Sequence, residues 1–238
     1  MKITYNQHDI ELLSNQIADL DALQTLRWAA GRFAGAVTFA SSLGAEDQAI
    51  THLIAVNQLP VSLFTLDTGR LFPETYDLID KTRARYNVEL KVCFPEAAEV
   101  EEMVSSEGIN LFYHSIENRK RCCGVRKTHP LQKALAGNQI WITGLRRQQA
   151  VTRTGLQKIE FDSINGLLKL NPLLDWSEAD LWQFIRENKI PYNVLHDKGF
   201  PSIGCQPCTR AIEPGDDIRA GRWWWENPEQ KECGLHKR

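Results

Sequence analysis

AVTFASSLGAEDQAITHLIAVN, residues 36 to 57, decides the fold. Its first five residues are a brief apolar run of the kind that forms a buried strand. The small and polar SSLGAED (41 to 47) then turns the chain, and residues 46 to 57 have helical length and mixed polarity. The same order returns along the chain. VSLFT (61 to 65) precedes a helix over 73 to 86 with Pro73 suited to its first turn, VELKVCF (88 to 94) precedes a helix over 96 to 107, and QIWIT (139 to 143) forms a fourth strand. Strands alternating with helices predict an α/β fold: a mostly parallel sheet with helices on both faces and ligands beyond the carboxyl ends of its strands. Residues 9 to 32 read as helical cover, and SEAD (177 to 180) opens another helix with a capping-box pattern. Regular periodicity fades after Pro191. With no internal repeat or low-complexity linker, the expectation is one α/β domain over residues 1–213 and an irregular, dependent tail over 214–238.

Composition narrows the setting. A chain of 238 residues, 42% hydrophobic, can bury a substantial core. It shows neither a basic segment leading into an apolar signal nor an apolar run long enough to span a bilayer, so a cytoplasmic protein without membrane contact is expected. A net charge of −2 argues against general nucleic-acid binding and leaves only local anion sites. Six cysteines are too few for a disulfide-built scaffold, and clustered thiols in a reducing compartment serve metal binding or catalysis.

Two loops are candidate binding sites. In SSLGAED, Ser41, Ser42 and Gly44 permit close approach to backbone N–H groups at a helix start, where a phosphate or sulfate fits. The pattern is neither GxxxxGK[ST] nor GxGxxG, and a plain capping loop is the competing reading. LDTGRLFPET (66 to 75) follows the next strand in the same relative position, which makes Leu66, Asp67, Thr68 and Gly69 a second candidate wall of a nucleotide crevice.

RCCGVRK (121 to 127) places two cysteines side by side. Consecutive Cα atoms lie about 3.8 Å apart, less than an unstrained disulfide spans. CQPC (205 to 208) supplies a second pair, so Cys122, Cys123, Cys205 and Cys208 make four ligands for Zn²⁺ or an iron–sulfur cluster. Successive helical side chains diverge by roughly 100°, which suits different irons of a [4Fe–4S] cluster better than one zinc. Buried inert cysteines beside an unrelated CxxC, or a thioredoxin-like redox pair, are the alternatives.

KRCCGVRK with IGCQPCTR, together with SSLGAED, LDTGRLFPET, TGLRRQQ, GDDIRAGRWWWE and the terminal ECGLH, resembles the assimilatory adenylyl-sulfate reductases, the iron–sulfur members of the phosphoadenylyl-sulfate reductase family. The resemblance covers residues from about 36 to 236. It implies an adenine nucleotide α-hydrolase-like fold related to ATP pyrophosphatases. The first loop departs from the SGGxDS of ATP-using relatives at Ser42, Leu43 and Glu46, which fits a sulfonucleotide with no pyrophosphate to hold. The implied activity is reduction of adenylyl sulfate to sulfite and AMP in sulfate assimilation and cysteine biosynthesis, with thioredoxin (or glutaredoxin) as donor.

By resemblance, Cys233 is the nucleophile that attacks the substrate sulfur, expels AMP and becomes an S-sulfocysteine. Lys231, His236, Lys237 and Arg238 stand near it in sequence and favour a thiolate, with His236 a candidate substrate or acid–base group. The anionic substrate and the departing AMP need positive partners, for which Lys127, Arg146, Arg147, Arg219 and Arg222 are candidates. Lys127, Arg219 and Arg222 match the family's contacts best, the last two sharing a face if DDIRAGRW is helical. Cys93, in a strand pattern, reads as a buried small hydrophobe. The [4Fe–4S] cluster is expected to serve structurally and electrostatically, and the chain to form a homo-oligomer. Other readings are a phosphoadenylyl-sulfate reductase, a tRNA-thiolation enzyme of the same fold, and a structural zinc module.

Overall fold

The computed structural model describes residues 5–149 and 155–227. Six strands form one sheet: β1 (Val37–Ala40), β2 (Ser62–Leu66), β3 (Leu90–Cys93), β4 (Ile140–Ile142), β5 (Ile159–Asp162) and β6 (Leu167–Leu170). Their order is β3-β2-β1-β4-β6-β5. β1 runs parallel to both β2 and β4, and β4 parallel to β6, while β5 closes the edge antiparallel to β6. Phe39 stands opposite Leu63 on one side and Ile142 on the other. Central strands covered on both faces need apolar residues at successive positions, and Ile140, Trp141 and Ile142 are all buried.

The helices are α1 (Gln7–Ile17), α2 (Ala22–Arg32), α3 (Ala45–Val56), α4 (Pro73–Tyr86), α5 (Ala97–Glu107), α6 (Ile116–Cys123), α7 (His129–Leu135) and α8 (Glu178–Glu187). The four expected strands and the three helices between them lie within about two residues of their expected bounds. The N-terminal cover is two helices, because Asp21 and Gln24 form a capping box that starts α2 afresh. Ser177 caps α8 in the same way, as SEAD predicts. The hairpin of β5 and β6 was not read from the sequence. Its signals are the alternation IEFD and the turn after it, where Asp162 accepts hydrogen bonds from the Ile164 and Asn165 amides and Gly166 takes φ +71°.

The described residues among 1–65, 77–91 and 137–193 form one compact unit, and those among 66–76, 92–136 and 194–238 form another. The core of the first includes Leu26, Phe39, Ile50, Ile140, Leu168 and Ile185. That of the second joins Met103, Leu111, Phe112 and Trp223 to four cysteines. The described part of the C-terminal segment belongs to this second unit. Among the described residues no helix is long and apolar enough to cross a membrane.

In the first unit Lys158 ends α1: its Nζ donates to the carbonyls of Ile17, Ala18 and Leu20 at 3.1, 3.1 and 2.9 Å. A cation there meets both the unpaired carbonyls and the negative end of the helix dipole. Lys158→Met keeps the aliphatic stem and removes the donors, so it is expected to cost roughly 1–3 kcal/mol of stability. Urea unfolding measures this, and an unchanged midpoint would count against the cap.

Candidate active site

In the first unit the chain leaves β1 for β2 on one side, while β4 lies on the other. The loops after β1 and β4 therefore flank the switch point of the sheet, where a crevice opens in α/β folds. Ser42 donates both its backbone N–H and its hydroxyl to one oxygen of Asp47, at 2.5 and 2.6 Å. Leu43 sits at φ +62°, a conformation costly for a branched side chain, and burial of that side chain holds it there. Ser41 accepts the Leu43 amide at 3.2 Å. From the other loop Gly144 lies so close that a Cβ on it would stand 2.2 Å from Asp47 Oδ1. Any side chain there would have to displace the Asp47 carboxylate.

Asp47 is buried, and burial lifts its carboxyl from the usual 3.8 to about 6 against the lowering effect of the Ser42 hydrogen bonds. Arg146 is buried too. Its Nε and Nη2 donate to Glu46 at 2.9 and 2.8 Å, and its Nη1 to the Trp176 carbonyl at 3.3 Å. Arg147 is exposed and paired with Asp175.

The second unit holds the thiols. Ser115 caps α6 by accepting the Asn118 amide, and Cys122 and Cys123 end that helix. The chain then continues as a π-helical turn, Gly124–Thr128, before α7 begins at His129. Such wider turns re-aim side chains and recur at functional sites. Cys205 precedes, and Cys208 ends, the 3₁₀ turn Gln206–Cys208, which is held by hydrogen bonds from the Gln206 amide to the Arg70 carbonyl at 2.8 Å and from the Tyr113 hydroxyl to the Pro207 carbonyl at 2.7 Å.

All four cysteines are buried and line one partly open cavity together with Arg70, Arg119, Arg126, Lys127, Arg222 and Trp223. Among the described residues no three or more His, Cys, Asp or Glu side chains are placed to hold a single metal ion.

The loop of residues 66–69 serves this cavity. The Thr68 hydroxyl shares a hydrogen bond with the Cys205 thiol at 3.2 Å, and Arg126 donates to the Thr68 carbonyl at 2.6 Å. Asp67 accepts from the Gly69 amide at 2.7 Å and the Tyr76 hydroxyl at 2.9 Å. Gly69 stands at φ +70°, and Leu66 ends β2.

At Cys122, Cys205 and Cys208 burial pushes the thiol up and nearby cations oppose it. Cys208 is pushed up to about 12 by burial and the neighbouring cysteines, with Lys127 pulling the other way. Burial also raises Cys122, against Arg126 and Lys127. At Cys205 burial is outweighed by Lys127, the Thr68 hydroxyl and Arg222 together, and the thiol is held below its usual value.

Arg222 is buried, donating to the Ser202 hydroxyl and the Ile203 carbonyl at 3.3 Å each. It lies flat over Gly204, where a Cβ would stand 2.3 Å from its Nη2. Arg219 is half-buried in a turn, its amide bonded to Asp217. DDIRAGRW is not helical, so a shared helical face for Arg219 and Arg222 does not arise. Asp217 bonds this backbone locally instead, and Arg222 joins an isolated bridge with Thr209. Cys93 is half-buried at the end of β3 rather than buried. Cys233 and His236 lie outside the described residues.

The cavity also includes residues that the motifs left unassigned. Arg119 precedes Cys122 and Cys123 by three and four residues, the helical spacing that puts it on their face. Trp223 is 1% exposed, and its indole N–H has no hydrogen-bond partner in the described structure. Trp224 and Trp225 are half-buried and pack on Tyr113.

The phosphoadenosine phosphosulfate reductase domain profile matches residues 36–211. Over 229 residues the chain is 50% identical to a protein of Allochromatium vinosum named adenosine 5′-phosphosulfate reductase, covering 96% of this chain and 84% of the relative. It is 49% identical to the Burkholderia cepacia protein of the same name, over 92% and 88% of the two chains. A crystal structure of phosphoadenylyl-sulfate reductase from Candida auris, as a phosphate complex, superposes with TM-score 0.77 at 31% identity, over 89% of this chain and 100% of that one. Yeast FAD synthetase superposes at TM-score 0.53 with 18% identity, covering 88% and 70%, a likeness of fold alone. The fold is the adenine nucleotide α-hydrolase-like type.

Asp47 makes a pH dependence readable. Its folded value of about 6 exceeds its usual 3.8, so the native state binds more protons than the unfolded state between those values. Stability from this group is therefore present below pH 4 and lost as pH rises through 6, by roughly 3 kcal/mol in all. Asp47→Asn is expected to flatten that fall. Urea midpoints from pH 4 to 7 check it, and equal slopes in both proteins would refute the assignment.

Proposed function

Because the chain belongs to the phosphoadenosine phosphosulfate reductase family, we propose that it is an oxidoreductase acting on sulfur that reduces adenylyl sulfate to sulfite and AMP in sulfate assimilation. The observation that carries this reading is the meeting of four buried cysteines with five cationic side chains at one cavity. The relatives at about 50% identity, named for the unphosphorylated nucleotide, support adenylyl sulfate as the substrate.

Cys122, Cys123, Cys205 and Cys208 are proposed to hold a [4Fe–4S] cluster. Two features of the cavity support the fit. Cys208 is raised by burial and by Cys205, Cys123 and Cys122, so a strongly positive occupant would favour its thiolate, and the Trp223 indole offers a buried N–H that a sulfide or thiolate would accept. When bound, the cluster supplies a fixed local charge and a structural tie between the two cysteine segments.

Cys233 is the proposed nucleophile. Its thiolate attacks the substrate sulfur, the sulfur–oxygen bond to the phosphate breaks, and AMP leaves with that oxygen. Lys127, Arg219 and Arg222 are proposed to stabilise charge on the sulfate and the departing phosphate. Ser41, Ser42, Gly44, Leu66, Asp67, Thr68, Gly69, Arg146, Arg147 and His236 are proposed as further substrate-binding residues. The S-sulfocysteine is then attacked at the Cys233 sulfur by a thiolate of thioredoxin or glutaredoxin. Sulfite departs, and the donor's second thiol resolves the mixed disulfide, which supplies the two electrons.

Intact-mass measurement with adenylyl sulfate and no reductant tests the first step. Wild type is expected to gain one sulfo group and release one AMP, Cys233→Ser to gain none, and Lys127→Ala to gain it at least about tenfold more slowly. Free sulfite without a reductant, or a sulfonated Cys233→Ser, would overturn the nucleophile.

Metal analysis tests the cluster separately. Iron and acid-labile sulfide are expected in wild type and should fall when any of the four cysteines becomes Ser. Zinc in their place would point to the structural module.

A further inference from the structure

Arg119 projects from α6 and is fully buried, at 0% exposure. A lone guanidinium in that position would be strongly unfavourable. Its Nε and Nη2 donate to the two carboxylate oxygens of Glu226 at 2.9 and 2.8 Å, a bidentate pair whose carboxylate is also buried. The same guanidinium bonds to the Cys123 thiol and lies 4.8 Å from the Trp223 ring, which Arg222 approaches at 4.7 Å.

The segment that carries Glu226 is also held through its backbone. Trp223 donates to the Cys208 carbonyl at 3.1 Å, and Glu226 to the Trp223 carbonyl at 2.8 Å. Trp223 takes φ +42°, an unusual conformation for an aromatic residue that persists where the surroundings impose it. Residues 222–226 are thus fastened to the CQPC turn by main chain and to α6 by the Arg119–Glu226 pair.

Glu226 precedes Cys233 by seven residues. That length of chain spans at most about 25 Å, so where Glu226 is fixed bounds where the thiol can act.

We propose that Arg119 and Glu226 are positioning residues, whose buried ion pair anchors the chain leading to Cys233 against the cysteine helix. The inference rests on the reading of Cys233 as nucleophile. It adds a second duty to α6, which presents two of the four thiols and also fixes the starting point of the C-terminal segment.

Glu226→Gln keeps shape and removes the charge, and three readouts test it: hydrogen exchange, iron content, and the rate of sulfo-adduct formation without reductant. Exchange of the amides of residues 222–227 is expected to quicken at least about tenfold. Exchange in α6 and iron content should stay at wild-type levels, and the adduct rate at saturating adenylyl sulfate should fall about tenfold with little change in the half-saturating concentration. Unchanged exchange and rate would overturn the proposal. So would parallel loss of iron and of α6 protection, which would mean that the pair only maintains the cysteine site. If Glu226→Gln does not accumulate as folded protein, Glu226→Asp serves, with smaller changes of the same kind. A wild type that forms no adduct refutes the nucleophile; faster exchange confined to 222–227 would still support the anchor, and equal exchange would overturn it.

Discussion

Four buried thiols around one cavity cannot all ionise unless positive charge stands beside them. Burial and mutual repulsion drive Cys208 to about 12, while Lys127, Arg222 and the Thr68 hydroxyl bring Cys205 below its usual value. The second unit is organised around that constraint. The π-helical turn after Cys123 carries Arg126 and Lys127 to the cavity. The loop from residue 66 brings Thr68 to Cys205, with its own carbonyl held by Arg126. Gly204 lets a guanidinium lie against the peptide before Cys205, and Glu226 keeps Arg119 charged in a place where no water could solvate it.

The first unit meets a different requirement, close packing of backbone at the ends of two parallel strands. Asp47, Gly144 and Leu43 satisfy it jointly. The carboxylate takes both Ser42 donors, the glycine leaves room for the carboxylate, and the buried leucine side chain offsets its unfavourable φ. Arg146, an apparent anion partner in the motif TGLRRQQ, spends much of its hydrogen-bonding capacity on Glu46 and the Trp176 carbonyl. A charged residue in a motif can therefore be a support for the loop as well as a contact for a ligand, and sequence spacing does not show which partners it takes.

Much of this molecule was legible in its sequence. Strand runs bounded by turn formers, a capping box at Ser177 and helices of ordinary length are local properties, written in neighbouring residues. The four cysteines were legible for a similar reason, since adjacency forbids one unstrained bridge and CxxC supplies a second pair. The hairpin of β5 and β6 escaped notice although IEFD alternates and Asn165-Gly166 marks a turn, because four residues make a weak period against the longer signals around them.

What sequence alone determined was the set of local conformations and the chemical types available: alternating strands and helices, two loops able to approach an anion, two thiol pairs and a supply of cations. Tertiary structure decided which of these meet. Thr68 belongs with Cys205, Arg126 with the Thr68 carbonyl, and Arg119 with Glu226 across 107 residues of chain. No spacing rule reaches that far, because the energy of a buried charge depends on what surrounds it in space, and only the folded chain creates those surroundings.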